Sequence, residues 1–377
     1  MDIPLRIEPA SSPMPVEERA AVLAEPGFGK IFTDHMLVMP WTADTGWSEA
    51  VIRAREPLPL DPACSVLHYA QEIFEGMKAY RARDGGVSLF RPYENARRFA
   101  VSAARMSMPA VDEDRFVAAV SRFVEVDEAW VPAPDAGSLY VRPFMIASEV
   151  FLGVRPAREY LFIVIASPAG PYFKSSSEGL TLWLSDYSRV APGGTGAAKC
   201  GGNYAGSLLA QSEATAQGCD QVLFLDAVER RWVEELGGMN VFFAFDDGSL
   251  VTPPLTGTIL PGITRSSIMR LARDAGLSVR EKNYSIEQWE ADAASGRLVE
   301  AFACGTAAMI ASIGRIRGAS VDFTIGARQP GSIAGRLRSS LEAIQRREQP
   351  DPYGWVYPLP RHDASIVAGN PGGVVTS

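Results

Sequence analysis

The sequence predicts a two-domain protein in which both domains mix α-helices and β-strands. Its 377 residues exceed one typical domain, and strand-like and helix-like segments alternate in both halves of the chain. Between the halves, the run GPYFKSSSEG at 170–179 is small, polar and rich in Gly and Ser, as interdomain linkers are. We therefore expect an N-terminal domain over 1–169, a linker over 170–179, a C-terminal domain over 180–360 and a flexible tail over 361–377.

Short strands, then helices, are predicted for the first half. From about residue 29 to 92, turn signals separate the strand-like stretches KIFTDHMLVM, SVLHYAQEIFEGMKAY and GVSLFRP. Apolar residues spaced at three and four then predict helices over 93–106 and 113–130, with Asp112 placed to cap the second. The apolar, β-rich stretches GSLYVRPFMIAS and EYLFIVIASPAG follow, and they predict buried strands.

The second half repeats this mixture of elements. Strands are predicted for LTLWLSDYSR, CDQVLFLDA, RRWVEEL, NVFFAFDDGSLVTPP and RLVEAFACGT. Helices are predicted near 203–217, 264–276 and 333–347.

Composition and charge exclude several classes of protein. The balance of 36 basic and 44 acidic residues gives a net charge of −8 without long runs of one sign, which argues against a nucleic-acid partner. The first residues lack the apolar core of a secretory signal, and the apolar, uncharged run at 301–314 is shorter than the roughly 18 residues of a membrane span. The four cysteines are widely spaced and there are three histidines, so no metal site is expected. We expect a cytoplasmic protein that binds neither nucleic acid nor a membrane.

The stretch PGGTGAAKCGGNYA (192–205) crowds glycines around Lys199. A phosphate-binding P-loop needs Gly directly before the lysine and Ser or Thr after it, but these places hold Ala198 and Cys200. A lysine that attacks a carbonyl must lose its proton, and a partly desolvated loop favours the neutral amine. The alternative is a solvated lysine in a surface turn.

Two turns have features of an anion site. Pro261 and Gly262 precede a helix expected to begin near Ile263 and Thr264, and a helix start offers unpaired N–H groups and the positive end of the dipole. The turn ACGTAA (303–308) follows an apolar strand and adds the hydroxyl of Thr306. Each feature is also typical of ordinary helix starts and turns.

Two carboxylates and one arginine lie in otherwise apolar stretches. In VEELGGMN, Glu234 is expected to face solvent, whereas Glu235 is a candidate partner for a protonated pyridine nitrogen. In LYVRPFMIA, Arg142 would be buried unless it faces a cleft, where a guanidinium suits a carboxylate ligand. The nearby aromatic residues Tyr69, Phe74 and Tyr140 are equally consistent with a plain core.

Taken together, nine motifs resemble those of the branched-chain amino acid aminotransferases, which are pyridoxal phosphate enzymes of fold type IV. They occur in the family's order, and they are FTDHML, HYAQEIFEGMKAY, LFRPYENARR, LYVRP, GPYF, GGTGAAKCGGNYA, EELGGMN, LPGITR and CGTAA. The resemblance runs from near Phe28 to the helix around 347. It implies a smaller N-terminal α/β domain and a larger C-terminal pseudo-barrel domain that binds the cofactor.

The resemblance also implies how pyridoxal 5'-phosphate is held. Lys199 would form the Schiff base with the cofactor and, once freed, move the proton between the substrate Cα and the cofactor C4′. Tyr204 would hydrogen-bond the phenolic oxygen, and Glu235 would keep the pyridine nitrogen protonated. The phosphate would be bound by Arg98, the N–H groups of Ile263 and Thr264, and Thr306.

The implied reaction transfers an amino group between leucine, isoleucine or valine and 2-oxoglutarate, giving 2-oxo acids and glutamate. Arg142 would bind the distal carboxylate of glutamate or 2-oxoglutarate, and the Ala307 backbone would contact the α-carboxylate. Leu152 and Val154 match a loop that reaches the neighbouring subunit in the family, which implies a homodimer. An apolar pocket would be lined by Phe28, Tyr69, Phe74, Tyr140 and Tyr172.

Two departures from the family and two alternatives accompany this hypothesis. Gly238 stands where the mammalian enzymes have threonine, and Ala308 and Ala311 replace their redox cysteines, so thiol regulation is not expected. A fold type IV aminotransferase of other specificity, towards methionine, aromatic or D-amino acids, is one alternative. A non-catalytic ligand-binding relative is the other, and it would not need Lys199, Glu235 and a phosphate site together.

Overall fold

The computed structural model describes residues 4–173, 179–326 and 332–360 of the chain. Its strands in chain order are β1 (Leu5–Ile7), β2 (His35–Thr42), β3 (Gly46–Trp47), β4 (Ala50–Ala54), β5 (Glu72–Phe74), β6 (Met77–Arg81), β7 (Val87–Phe90), β8 (Ser138–Ala147), β9 (Glu159–Ala169), β10 (Leu180–Leu184), β11 (Gln221–Leu225), β12 (Val233–Leu236), β13 (Asn240–Phe245), β14 (Ser249–Thr252), β15 (Ser278–Glu281), β16 (Leu298–Gly305), β17 (Met309–Arg317), β18 (Asp322–Thr324) and β19 (Val356–Pro358). Its α-helices are α1 (Val16–Ala24), α2 (Val66–Tyr69), α3 (Pro92–Arg105), α4 (Glu113–Val126), α5 (Gly201–Ala205), α6 (Leu208–Ala216), α7 (Ile263–Asp274), α8 (Ile286–Ser295) and α9 (Ile333–Gln345). Within these described ranges, no helix combines the length and the apolarity that a membrane crossing requires.

The chain divides into two compact units, each with its own sheet. The first unit runs to Gly170 and also takes in residues 344–360, and the second unit runs from Pro171 to Ala343. The change of unit after Gly170 lies at the start of the expected linker. The middle of that linker, 174–178, and the expected tail, 361–377, lie outside the described residues.

The end of the described chain differs from the sequence expectation. Residues 344–360 were assigned to the C-terminal domain, but they group with the first unit. The reason is strand pairing, since β19 runs antiparallel to β7 and aligns Val356 with Phe90. With this segment included, the first unit is the longer one, whereas the resemblance implied a smaller N-terminal domain.

The sheet of the first unit is built around two long apolar strands. Its order is β1-β4-β2-β9-β8-β6-β7-β19, with β3 beside β2 and β5 beside β8. Strands β8 and β9 pair antiparallel along their whole length, from Ser138 opposite Ala169 to Ala147 opposite Tyr160. Most residues of both strands are buried, as the apolar sequence predicted.

Helices α3 and α4 pack their apolar faces on this sheet. The side chain of Asp112 accepts a hydrogen bond from the Arg115 N–H at 2.8 Å, so the predicted cap of α4 is confirmed. Phe99 of α3 and Phe116 of α4 are fully buried, and their rings lie 5.5 and 5.7 Å from that of Phe162 in β9. The helices therefore gain stability from an aromatic core rather than from helix propensity alone.

The segment 65–80 is less regular than the strand predicted for it. A short helix, α2, is followed by Ala70 in the left-handed conformation, and strands β5 and β6 are interrupted at Glu75 and Gly76. Both strands pair with β8, and the Glu75 N–H donates to Pro143 O at 2.7 Å across the interruption. This interruption leaves the Glu75 side chain fully buried.

The second unit contains a mixed nine-stranded sheet. Its order is β12-β11-β10-β17-β16-β13-β14-β15, with β18 beside β17. Trp289 of α8 is fully buried against Phe243 of β13, with ring centroids 4.7 Å apart. Strands β10 and β11 run parallel, so the chain between them must cross over, and this crossover carries the Lys199 loop and helices α5 and α6.

Candidate active site

The loop before Lys199 is held in one shape by close packing and by a side-chain amide. A Cβ on Gly196 would lie 2.5 Å from the carbonyl oxygen of Thr258, so only glycine permits this approach of two backbones. The Asn203 amide donates to the carbonyls of Thr195 and Ala198 at 2.8 and 2.9 Å. The glycine-rich loop is therefore a rigid support for the lysine that follows it.

Lys199 and Tyr204 form a pair at the start of α5. The Nζ of Lys199 donates to the Tyr204 hydroxyl at 2.8 Å and lies 5.2 Å from the centre of its ring. Both side chains are half-buried. Lys199 is therefore not the fully solvated lysine of a surface turn, which was the alternative from the sequence.

Glu235 is a buried carboxylate on β12. It is 3% exposed, and its Oε1 lies 2.5 Å from Nη2 of Arg189. The Leu260 N–H and the Asn240 amide approach it at 3.4 Å each. Burial raises the pKa of Glu235 to about 7, although the charges of Arg189 and Lys199 act in the opposite direction.

Glu234 does not face solvent, and this part of the sequence analysis was wrong. All four residues of β12 are buried, and Glu234 is 7% exposed. Its Oε1 accepts a hydrogen bond from the Thr258 hydroxyl at 2.5 Å, and burial raises its pKa. A strand normally alternates buried and exposed positions, but both faces of β12 are covered by other segments of the chain.

The start of α7 is fastened to the same region through Asn240. The Asn240 amide donates to the Leu260 carbonyl at 3.0 Å, and a Cβ on Gly262 would collide with the Asn240 side chain. Helix α7 begins at Ile263, and the first N–H groups of a helix have no acceptor within it. Asn240 therefore places the positive end of α7 near Glu235.

The turn that contains Thr306 lies beside the connection between β12 and β13. Asn240 pairs with Cys304 across β13 and β16, and a Cβ on Gly305 would contact Met239 and the Gly238 carbonyl. A Cβ on Gly238 would in turn lie 3.7 Å from the Tyr204 ring, which is ordinary contact, so the missing threonine side chain leaves space there. The second unit thus brings one group of predicted residues together: Lys199, Tyr204, Glu235, Ile263, Thr264, Thr306 and Ala307.

The remaining predicted residues, apart from Tyr172, belong to the first unit. Arg98 of α3 is buried, and its Nε and Nη2 donate to the two carboxylate oxygens of Glu75 at 2.8 Å each. The Asn95 amide donates to the same carboxylate at 2.7 Å. Glu75 therefore fixes the guanidinium of Arg98, a role that no motif in the sequence suggested.

Three other first-unit residues, Phe28, Phe74 and Tyr140, form an aromatic group around Arg142. The guanidinium lies 4.8 Å from the Phe74 ring centre, and its Nη2 donates to the Tyr140 hydroxyl at 3.0 Å. The Phe28 ring meets the Tyr140 ring edge-on at 5.2 Å. The apolar wall and the arginine expected from the sequence are therefore adjacent.

Four predicted residues, Tyr69, Leu152, Val154 and Tyr172, are exposed. Leu152 and Val154 are 65% and 90% exposed, and the Leu152 carbonyl accepts a hydrogen bond from the hydroxyl of Tyr69 at 2.5 Å. Tyr69 therefore anchors an exposed apolar loop. Tyr172, in the second unit, packs edge-on against Phe173 with ring centroids 4.8 Å apart.

Gly76→Ala is expected to destabilise the aromatic group, because the new Cβ would collide with the Tyr140 hydroxyl. We expect a loss of about 1–3 kcal/mol in the free energy of unfolding, measured by urea denaturation. Gly27→Ala is the matched control, since a Cβ there meets nothing within 4 Å. Tyr140→Phe combined with Gly76→Ala should recover part of the loss, and an unaltered midpoint for Gly76→Ala would contradict the expectation.

Comparisons with known proteins identify the family of this chain. The chain matches the model of the family described as Amino-transferase class IV over residues 72–316. It is 52% identical to a probable branched-chain-amino-acid aminotransferase of Streptomyces coelicolor, over 94% of this chain and 98% of the relative. It is 51% identical to the branched-chain-amino-acid aminotransferase of Mycolicibacterium smegmatis, over 90% of this chain and 93% of the relative.

Solved structures share the fold. The Escherichia coli branched-chain amino acid aminotransferase has a TM-score of 0.69 and 29% identity, over 86% of this chain and 99% of that one. A T.th. branched-chain amino acid aminotransferase complexed with N-(5'-phosphopyridoxyl)-L-glutamate has a TM-score of 0.67 and 28% identity, over 84% of this chain and 97% of that one. The resemblance drawn from the motifs is thereby confirmed. The chain belongs to the class IV aminotransferases and, within them, to the branched-chain aminotransferases of fold type IV.

Proposed function

We propose that the chain is a pyridoxal 5'-phosphate-dependent transaminase that moves an amino group between leucine, isoleucine or valine and 2-oxoglutarate. One observation carries the proposal. In the second unit, the amine of Lys199 is hydrogen-bonded to Tyr204, and the Tyr204 ring lies beside Gly238, three residues after the buried carboxylate of Glu235. An amine, a phenol and a buried carboxylate in one site are the groups that this chemistry requires.

The residues present fit the cofactor group by group. Lys199 supplies an amine for its aldehyde, Tyr204 a donor for its phenolic oxygen and Glu235 an acceptor for its protonated ring nitrogen. The start of α7 and the turn with Thr306 supply N–H and O–H donors for its phosphate. Because Gly238 has no side chain, it leaves space beside the Tyr204 ring, among these same residues. In this proposal, Arg98 adds a cation to the phosphate site.

When bound, the cofactor supplies an electron sink that stabilises negative charge on the substrate Cα. The protein then has three tasks. Lys199 would act as the base that takes up the proton of the substrate Cα and gives it back. Tyr204 orients the Lys199 amine through the 2.8 Å hydrogen bond. Glu235 holds the ring nitrogen in its protonated form.

The relatives support the substrate class, since they are named branched-chain-amino-acid aminotransferases and align over almost the whole chain. The aromatic group of the first unit supplies an apolar wall for these side chains, and Arg142 supplies a cation for the distal carboxylate of glutamate or 2-oxoglutarate. Ala307 contributes a backbone group to the α-carboxylate.

The proposal also includes a homodimer, supported by the exposed apolar loop with Leu152 and Val154. Light scattering tests it, because a dimer has twice the 40.7 kDa mass of one chain.

An absorbance titration of the purified protein tests the reaction. After loading with pyridoxal phosphate, we expect a visible band that moves to the ultraviolet with L-leucine and returns with 2-oxoglutarate. Failure to bind the cofactor would refute the proposal. A protein that binds it and responds to methionine, an aromatic amino acid or a D-amino acid, but not to L-leucine, would retain the family and change the substrate.

Arg142→Gln is expected to change the KM values of the two substrates, 2-oxoglutarate and leucine, to different extents. Losing a charge-assisted hydrogen bond should raise the KM for 2-oxoglutarate by about 10- to 100-fold. The KM for leucine should change much less, because its side chain carries no charge. Steady-state kinetics with each substrate varied in turn measures both constants, and an equal rise in the two would refute the assignment of Arg142.

A further inference from the structure

Arg189 is a buried arginine to which the motifs assigned no role. Its side chain is 6% exposed, and its Nη2 lies 2.5 Å from Glu235 Oε1. The same nitrogen donates to the carbonyl of Thr258 at 2.5 Å and approaches that of Gly196 at 3.4 Å. These acceptors lie on β12, on the segment before α7 and on the loop before Lys199. Arg189 therefore links Glu235, the candidate partner of the ring nitrogen, to the backbone carbonyls of Thr258 and Gly196.

Among the groups around Glu235, Arg189 has the largest favourable effect on the ionised carboxylate. Arg189 and Lys199 favour the ionised carboxylate, and the neighbouring carboxylate of Glu234 opposes it. The other groups in contact, the Asn240 amide and the Leu260 N–H, are uncharged donors at 3.4 Å. Burial favours the protonated acid. Since burial and Glu234 both raise the pKa of Glu235, the cation in direct contact is the main group that lowers it.

We propose that Arg189 is a positioning residue that keeps Glu235 ionised, so that the proton shared between Glu235 and the cofactor's pyridine nitrogen resides on the nitrogen. This inference rests on the proposed function. Without Arg189, the same proton moves to Glu235, which then donates an O–H to an unprotonated nitrogen. No proton is gained or lost in this shift, but an unprotonated ring is the weaker electron sink.

The shape of the guanidinium also matters. A buried arginine can donate several hydrogen bonds in fixed directions, whereas a lysine is a compact point charge. Arg189→Lys should therefore keep much of the effect on the charge of Glu235 and lose part of the contact with Thr258 and Gly196. Arg189→Met removes both the charge and the hydrogen bonds while keeping an extended side chain of similar length.

The first experiment uses cofactor-free protein and measures the free energy of unfolding from about pH 4 to about pH 10. In the wild type, the folded-state pKa of Glu235, about 7, exceeds its ordinary value of 4.5. Its contribution to stability is therefore fully present below about pH 4.5 and is lost as the pH rises to about 7. Glu235→Gln removes this pH dependence, and the difference between the two curves reports on this one carboxyl.

Arg189→Met should move the upper end of that window to higher pH by about one to three units, because the favourable charge is gone. In the Glu235→Gln background, Arg189→Met should add no pH dependence. Glu234→Gln is the control of opposite sign, since it removes a repelling charge and should move the window to lower pH. If Arg189→Met does not fold, Arg189→Lys and Glu234→Gln still carry the test. An unmoved window in every variant would refute the proposal.

The second experiment uses the loaded protein and cofactor labelled with ¹⁵N in its ring, whose chemical shift reports ring protonation by NMR. We expect a protonated nitrogen in the wild type, an unprotonated nitrogen in Arg189→Met and partial rescue by Arg189→Lys. A wild type that transaminates leucine while Arg189→Met keeps a protonated ring would refute the role of Arg189 and leave the proposed function intact. A wild type that does not bind the cofactor would refute the function, whereas the cofactor-free experiment would still measure the coupling of Arg189 to Glu235.

Discussion

Lys199→Ala is expected to lower the turnover of transamination by about 10³- to 10⁴-fold, the largest effect that we predict for a single substitution. The variant lacks both the amine that binds the cofactor aldehyde and the base that moves the Cα proton. Single-turnover kinetics with L-leucine measures the loss, and absorbance shows whether the cofactor is still present. Lys282→Ala, at an exposed lysine of the same unit, is the control and should leave turnover unchanged.

The same experiment distinguishes the contribution of Lys199 to turnover from that of its hydrogen-bond partner, Tyr204. Tyr204→Phe removes the hydroxyl that accepts from Lys199 Nζ but leaves the amine and the ring in place. Its effect should be about tenfold, the size expected for one hydrogen bond at a reacting group. A Lys199→Ala variant that kept turnover close to that of the wild type would refute the catalytic assignment, whatever the effect at Tyr204.

Glu75→Ala is expected to destabilise the protein by about 3–5 kcal/mol, because it leaves the charge of Arg98 buried without the carboxylate that neutralises it. Both carboxylate oxygens accept from Arg98 at 2.8 Å, and Glu75 is fully buried. Urea denaturation measures the loss in the free energy of unfolding. The affinity for pyridoxal phosphate should fall as well, because the proposed phosphate ligand Arg98 loses the group that fixes it.

Two variants serve as controls for this pair. Glu75→Gln keeps the shape and one acceptor oxygen, so its loss should be smaller. Asp44→Asn breaks the exposed pair with Arg158, where solvent screens the charges, and should change stability by less than about 1 kcal/mol. Equal losses for Glu75→Ala and Asp44→Asn would show that the buried pair contributes no more than a surface one.

Local patterns in the sequence predicted much of the fold. The buried strands β8 and β9 follow from continuous apolar runs, and the cap of α4 follows from an Asp directly before an amphipathic helix. The predicted helix over 203–217 is split into α5 and α6, and a helix at 66–69 was not predicted. These short elements are set by packing rather than by periodicity, which needs several turns to be visible.

The sequence by itself determined the family, because the motifs around Lys199, Glu235, Gly262 and Thr306 and their order along the chain are enough to recognise it. The family resemblance also pointed to Lys199 as the candidate Schiff-base lysine, whereas the glycine-rich loop alone was equally consistent with a solvated surface turn. Only the tertiary structure decided which charges meet. Glu75 reaches Arg98, Arg189 reaches Glu235, Glu234 is buried, and residues 344–360 join the first unit. The physical reason is that burial and ion pairing depend on segments far apart in the chain, and no local pattern records which of them will cover a given side chain.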